Sequence, residues 1–395
     1  MRSDGIECRT ALTGLPLFSY GFRPFFLGAA LFAGLAVPAW VLMASGLTGA
    51  TGSLPARDWH VHEMVFGFLP AVIAGFLLTA VPNWTDRPPL TGVGLMLLSL
   101  CWVVGRVAMA VTWLPPMVSA LLDGLFLVAL AGWLWRQIVA SASWNHAPIG
   151  VLLTLYACGN LLFHALVLNG SATDLAARVG VGLDITLLVF IGGRLTPNFS
   201  REFLIGEGSA KRPAAFTRFD AVAIGSAAAA ALVWVLAPQA LLTGWALLAA
   251  GLVNLMRLLR WYGWLTWREP LVLVLHVGYS WLVLALLLVG GATLGVGLQP
   301  EDAIHALTTG AVGVMTLAVM TRASLGHTGR PRHAGPVTVG IYLLVFVGAT
   351  LRVFGPATGL PSALVLGSAA TFWSGGYVLF ALAYGPFLLR PSLDE

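Results

Sequence analysis

PLVLVLHVGYSWLVLALLLVGGATLGV, at 270–296, is the stretch that decides the fold. Its only ionisable side chain of the histidine or charged type is His276. A helix rises 1.5 Å per residue, so about 20 apolar residues cross the roughly 30 Å hydrocarbon core of a bilayer. Similar runs recur along all 395 residues, of which 58% are hydrophobic and only 9% charged. The mean hydropathy is +0.88. A soluble domain carries roughly 25% charged residues, so most of this surface cannot face water. A membrane barrel would show short alternating segments, and these runs do not alternate. In lipid the backbone must satisfy its own amides, which a helix does within one segment. The expected fold class is therefore all-α, a polytopic membrane protein of about twelve transmembrane helices.

The spans read from the sequence are 24–45, 59–81, 90–111, 115–135, 148–168, 176–196, 217–236, 239–260, 270–296, 303–324, 335–355 and 361–388. Proline and glycine punctuate most connections. Seventeen of the 21 Lys and Arg, Arg2 and Arg9 among them, fall at one set of ends. Only Arg57, Arg178 and Arg352 fall at the other, and Arg106 lies within a span. The positive-inside rule then puts both termini in the cytoplasm. The longest hydrophilic connection, about 196–216, suggests halves at 1–200 and 210–395, but no repeat links them. A single membrane domain over 1–395 is expected. The net charge of +5 comes from scattered residues without a dense basic run, so no nucleic-acid partner is expected. Cys8, Cys101 and Cys158 form no CxxC or CxxCH, which excludes a thiolate zinc site and covalent c-type haem attachment. The N-terminal stretch lacks the apolar region of a signal peptide.

Ionisable groups inside a membrane are costly and default to functional hypotheses. The orientation gives each a depth. An outer layer collects His60, His62, Glu63 and Met64 of WHVHEMVFGF, with His164 and His305. An inner layer collects Arg23, Arg194, His276, Arg322 and His327, with Arg330 beyond. Histidine is a natural ligand for haem, copper or zinc. A haem b site needs axial histidines and cations for its propionates, and His62 with His305 is one candidate axial pair. His60 and His62 stand about 200° apart on a regular helix, so they cannot chelate together. His60 shares a face with Glu63 and Met64, a set that suits copper. Each of these histidines can equally be a hydrogen-bonded packing residue. His146 and His333 read as loop residues. Arg106 and Asp123 fall at similar depth and read as an ion pair. Asp184 has no partner assignable from sequence, and serves either a proton path or a bond to a ligating imidazole. GHTGR, at 326–330, can hold an anion or simply cap a span.

At these residues the chain resembles the NnrS family of bacterial membrane proteins. The matching pieces are FRPFF at 22–26, WHVHEMVFGF at 59–68, AGFLLTAVPNWT at 74–85, GGRLTPNF at 192–199, LHVGYSW at 275–281 and IHALTTGAVGVMTLAVMTRASLGHTGR at 304–330. The resemblance implies a twelve-helix protein with haem and copper, linked to nitric oxide metabolism and denitrification. His62, His276, His305, His327, Glu63, Arg194, Arg322 and Arg330 lie within those motifs. A looser likeness is to haem–copper oxidases, which hold a haem between helices two and ten. Here spans six and seven carry no histidine, so the ligands of a binuclear centre are missing.

The leading expectation is thus a haem b- and copper-binding protein of the bacterial inner membrane. It handles nitric oxide, with or without redox turnover, or protects against nitrosative stress. Haem-site candidates are His62, His276, His305 and His327. Metal candidates are His60, Glu63 and Met64. Arg23, Arg194, Arg322, Arg330 and Asp184 are propionate, anion or polar support. Expected partners are the lipid bilayer, a gas such as NO, and an unidentified electron donor or oligomer partner. The alternative is a secondary transporter for a metal or small anion, with a site at the midplane.

Overall fold

The computed structural model describes residues 14–49 and 52–393. Cys8, Arg2 and Arg9 lie outside the described residues. Twelve helices are long and apolar enough to cross a membrane: α1 Phe22–Ala44, α2 Ala56–Thr85, α3 Gly92–Ala110, α4 Pro116–Ala140, α5 Trp144–Leu168, α6 Asp174–Gly206, α7 Arg218–Leu236, α8 Leu241–Leu259, α9 Pro270–Thr293, α10 Pro300–Gly326, α11 Pro336–Thr358 and α12 Ser362–Leu389. Each overlaps one of the twelve spans read from the sequence. Leu35, Leu97, Leu121, Leu232, Leu343 and Leu382 stand exposed on six different helices. In a bilayer that leucine surface faces acyl chains, so the protein is a multi-pass membrane protein in contact with lipid.

Most boundaries shift by a few residues, and one shifts by more. The sequence suggests that span six ends at 196 and a hydrophilic connection follows, yet α6 stays helical to Gly206. Its last turns are amphipathic, with Ser200 and Leu204 buried and Arg194 and Arg201 exposed. Hydropathy finds where lipid ends, and a two-sided helix continues past that point.

Neighbouring helices pack in antiparallel pairs, and α12 returns to pack on α1. The centre belongs to α2 and α10. Their apolar windows are 83% and 72% buried, against 33–61% for the other ten. Residues there face protein, not lipid, and can therefore be polar.

Three helices contain a π turn: Glu63–Phe68 in α2, Leu188–Gly192 in α6 and Ala306–Ala311 in α10. A π turn inserts one extra residue and perturbs the hydrogen-bond ladder, which lipid cannot repair. Neighbouring side chains do so instead. In α2 the Tyr156 hydroxyl lies 3.1 Å from the Val65 carbonyl and Trp102 Nε1 donates to Gly67 at 2.9 Å. In α6 Arg257 donates to Val189 at 2.9 Å and to Gly193 at 3.0 Å. In α10 Trp373 Nε1 donates to Thr309 at 3.1 Å. Two glycines make room for this: a Cβ on Gly67 would run into the Arg106 guanidinium, and one on Gly193 into that of Arg257. Arg257 is anchored in turn by Asp220 at 3.0 Å, and Asp220 also closes the capping box of α7 with Thr217.

Candidate functional site

The π turn of α2 begins at the residue after His62, where α2 meets α3, α4 and α5. Six polar side chains converge there: His62, Glu63, Arg106, Asp123, Asn160 and His164, all buried. Arg106 bridges the carboxylates, donating to Glu63 at 2.7 Å and pairing with Asp123. Asp123 Oδ2 also accepts from Asn160 Nδ2 at 2.8 Å and from His164 Nε2 at 2.8 Å. His62 Nδ1 lies 2.9 Å from Glu63 Oε1. Its Nε2 lies 3.0 Å from Asn160 Oδ1 and 3.2 Å from Asp123 Oδ2. Both nitrogens of His62 face oxygen acceptors, so both are satisfied when the ring donates from both. Two cations, Arg106 and His62, then balance two carboxylates, as a buried polar cluster requires. His62, Asp123 and His164 bring ligand atoms within 4.8 Å of one another, a spacing that can hold a metal ion. To ligate, the two rings would first release the hydrogens they lend to Asp123.

Beside the cluster, on the other side of α2, lies a cavity of about 70 Å³. His60 and Met64 of α2 and His305 of α10 line it, with Trp40 of α1, Arg352 of α11 and Trp373 of α12. His60 stacks on Trp40 at 4.0 Å, and its buried Nδ1 has no hydrogen-bond partner. His305 Nδ1 donates to the Glu301 carbonyl at 2.6 Å. Arg352 pairs with Asp302 at 2.7 Å.

A larger cavity, about 330 Å³, opens at the opposite end of the bundle between α1, α2, α6 and α10. Phe22, Phe76, Trp84 and Phe199 form apolar walls, and Arg322, His327 and Arg332 stand at one side. Arg322 lies over the Phe199 ring at 3.9 Å and pairs with Glu202 at 3.1 Å. Arg332 reaches the same Glu202 at 3.3 Å. His327 follows the end of α10. Its partial burial and the nearby Arg332 guanidinium hold the imidazole below its usual pKa, so the ring is neutral at pH 7.

These positions regroup the candidates. His62 and His305 share a depth but no cavity: His62 turns into the cluster and His305 into the small cavity. Glu63 leaves the His60–Met64 face and joins Arg106. His276 shares a depth with His327, yet its Nε2 bonds Ser200 at 2.7 Å, and Leu275 takes the place on the cavity wall. Arg23 clamps the end of α12, donating to the carbonyls of Leu388 and Arg390 and, at 2.7 Å, to Ser392. Arg330 lies over Phe387 at 4.0 Å, and Arg194 is exposed and does not line the cavity. Asp184 finds its partner in the Tyr156 hydroxyl. The ion pair of Arg106 and Asp123, read from matching depth, is present.

Sequence reasoning did not single out Asn160, Trp40, Arg332 or Glu202. An asparagine four residues before His164 on α5 shares its face, a signal that finds Asn160. Glu202 lies beyond the hydropathic end of span six, where only the amphipathic pattern would have pointed.

Twelve helices around a polar, histidine-bearing interior define a polytopic α-helical membrane protein whose centre, unlike its lipid face, has side chains spaced so that they could hold a metal ion. Within that class the chain belongs to the NnrS protein family, whose match covers residues 16–392. No curated protein matches the chain.

Proposed function

We propose that this is a haem b- and copper-binding protein of the bacterial cytoplasmic membrane that binds nitric oxide, in its metabolism or in protection against nitrosative stress. The observation that carries the reading is the 330 Å³ cavity with His327, Arg322 and Arg332 at one side. Ligand pockets span roughly 300–1,000 Å³, and this one combines aromatic walls, a neutral imidazole and two guanidinium groups. That donor set fits a flat apolar macrocycle with anionic arms. His327 would hold the haem iron, and Arg322 and Arg332 would hold its propionates. Bound haem would supply an iron centre able to take a neutral diatomic gas.

The chain's own residues would do the rest. Phe22, Phe76 and Trp84 would give the group apolar walls to pack on. Phe199 and Glu202 hold the Arg322 side chain in place, so its charge is positioned before a ligand arrives. Of the four haem-site histidines expected from sequence, the geometry favours His327. The cavity at His305 is several times too small for a macrocycle. With the basic ends inside, His327 would face the cytoplasm and His305 the outside. Residues 1–395 would form one membrane domain, a reading that the packing of α1 on α12 supports.

Protein purified in detergent from haem-replete cells should show a Soret band and bound iron, and NO should shift the band. His327→Ala should remove most of the haem, and Arg322→Ala should weaken its retention. A colourless, iron-free wild-type protein would overturn the reading.

A further inference from the structure

We propose that His60, Met64 and His305 form a Cu(I) site in the 70 Å³ cavity, separate from the His62–Asp123–His164 trio. The inference rests on the reading above for the choice of copper alone, and gives that copper three ligands on two helices.

The first argument is availability. His305 gives its Nδ1 hydrogen to the Glu301 carbonyl, so its Nε2 keeps the lone pair a metal needs. A carbonyl holding the far nitrogen is the usual support of a ligating histidine. On His60 the buried Nδ1 has no partner. Leaving such a group unsatisfied is costly, and a metal ion offers the missing partner. The Trp40 ring stacked at 4.0 Å fixes the plane of His60. In the neighbouring trio, by contrast, His62 and His164 already donate to acceptors within the cluster.

The second argument is the donor set. His60 and Met64 are four residues apart and line one cavity, and His305 faces them from α10. A thioether is a soft donor that selects Cu(I), and imidazole suits copper as well, so the set as a whole favours copper. Zinc sites draw on thiolate, imidazole and carboxylate, and calcium and magnesium on oxygen. No carboxylate residue lines this cavity among the described residues. The one cation there, Arg352, is neutralised by Asp302. A singly charged ion therefore fits better than a doubly charged one.

The third argument is space. A water needs roughly 10–15 Å³ by the same kind of measure. The cavity therefore takes an ion and a diatomic ligand beside it, and nothing the size of a haem. The π turn of α10 begins at the residue after His305, and such turns are frequent at functional sites.

The test uses full-length protein, reduced and anaerobic, titrated with Cu(I) against a chromogenic chelator, with haem measured on the same sample. Wild type should bind one Cu(I) and its X-ray absorption spectrum should contain a sulfur scatterer. Met64→Leu and His305→Ala should each weaken Cu(I) at least tenfold and leave haem content unchanged. Met64→Leu keeps the side chain apolar and similar in volume, so it should still fold; its unfolding temperature is measured alongside. Wild type that binds copper without sulfur in the spectrum overturns the site. So does copper affinity that survives both substitutions and is lost in His164→Ala, which moves the ion to the trio. Protein with haem but no affinity for Cu(I) also overturns the site while leaving the haem reading intact; protein with neither removes both.

Discussion

The six buried polar side chains between α2 and α5 bond to one another, whereas the donors around the two cavities bond to little or to the rim. Both regions are polar groups inside a membrane protein, and both include histidine from α2. In the cluster every ring nitrogen of His62 and every carboxylate has a partner. At the small cavity a histidine nitrogen is shut away from any partner. Closed networks hold helices together, because each member is costly to remove. Open ones keep chemistry available for something that arrives later. The distinction separates residues that share a depth and a motif, and it follows from counting donors and acceptors.

Asp123→Ala should break the cluster most severely. It leaves Arg106 half-paired and strips an acceptor from Asn160 and His164, a change worth about 3–5 kcal/mol for a buried pair. Unfolding in detergent should show a large fall, and a loss below about 1 kcal/mol would mean the network does not hold these helices. Gly67→Ala should come next. Its Cβ displaces the Arg106 guanidinium, and overpacking of this kind costs about 1–3 kcal/mol. An unchanged melting temperature would show that Arg106 can shift freely. Arg322→Ala should cost under about 1 kcal/mol, because its partner Glu202 is largely exposed, and should still reduce haem retention. If stability falls and haem stays, the cavity belongs with the closed regions. His146→Ala, which removes a stack on Trp84 at 5.0 Å, should move stability by no more than about 0.5 kcal/mol. A larger drop would make that contact part of the fold's support.

The spans and their order were legible in the sequence because lipid imposes one simple rule on every residue at once. Depth was legible too: it paired Arg106 with Asp123. The i, i+2 spacing also foretold that His60 and His62 face apart, and they do. What hydropathy does not encode is rotation about the helix axis. His276 and His327 lie at one depth, yet His276 turns to Ser200 and its neighbour Leu275 lines the cavity. Glu63 parts from His60 where α2 changes from α to π geometry. Nothing in the composition of EMVFGF announces that change. Its supports, Trp102 and Tyr156, lie far along the chain, and their contacts are tertiary.

The π turns also change what a lost codon would do. Ala306–Ala311 carries one residue more than an α-helix needs for that stretch. Deleting any one of the six would leave a span still apolar and long enough to insert. The extra residue is what the π turn absorbs, so the segments on either side would keep nearly their present rotation, while the turn closed to α geometry and drew the Thr309 carbonyl away from Trp373. An in-frame deletion of one residue would thus regularise the helix without turning its ends, and what the extra length supplies is the freed backbone carbonyl, more than any side chain of that turn.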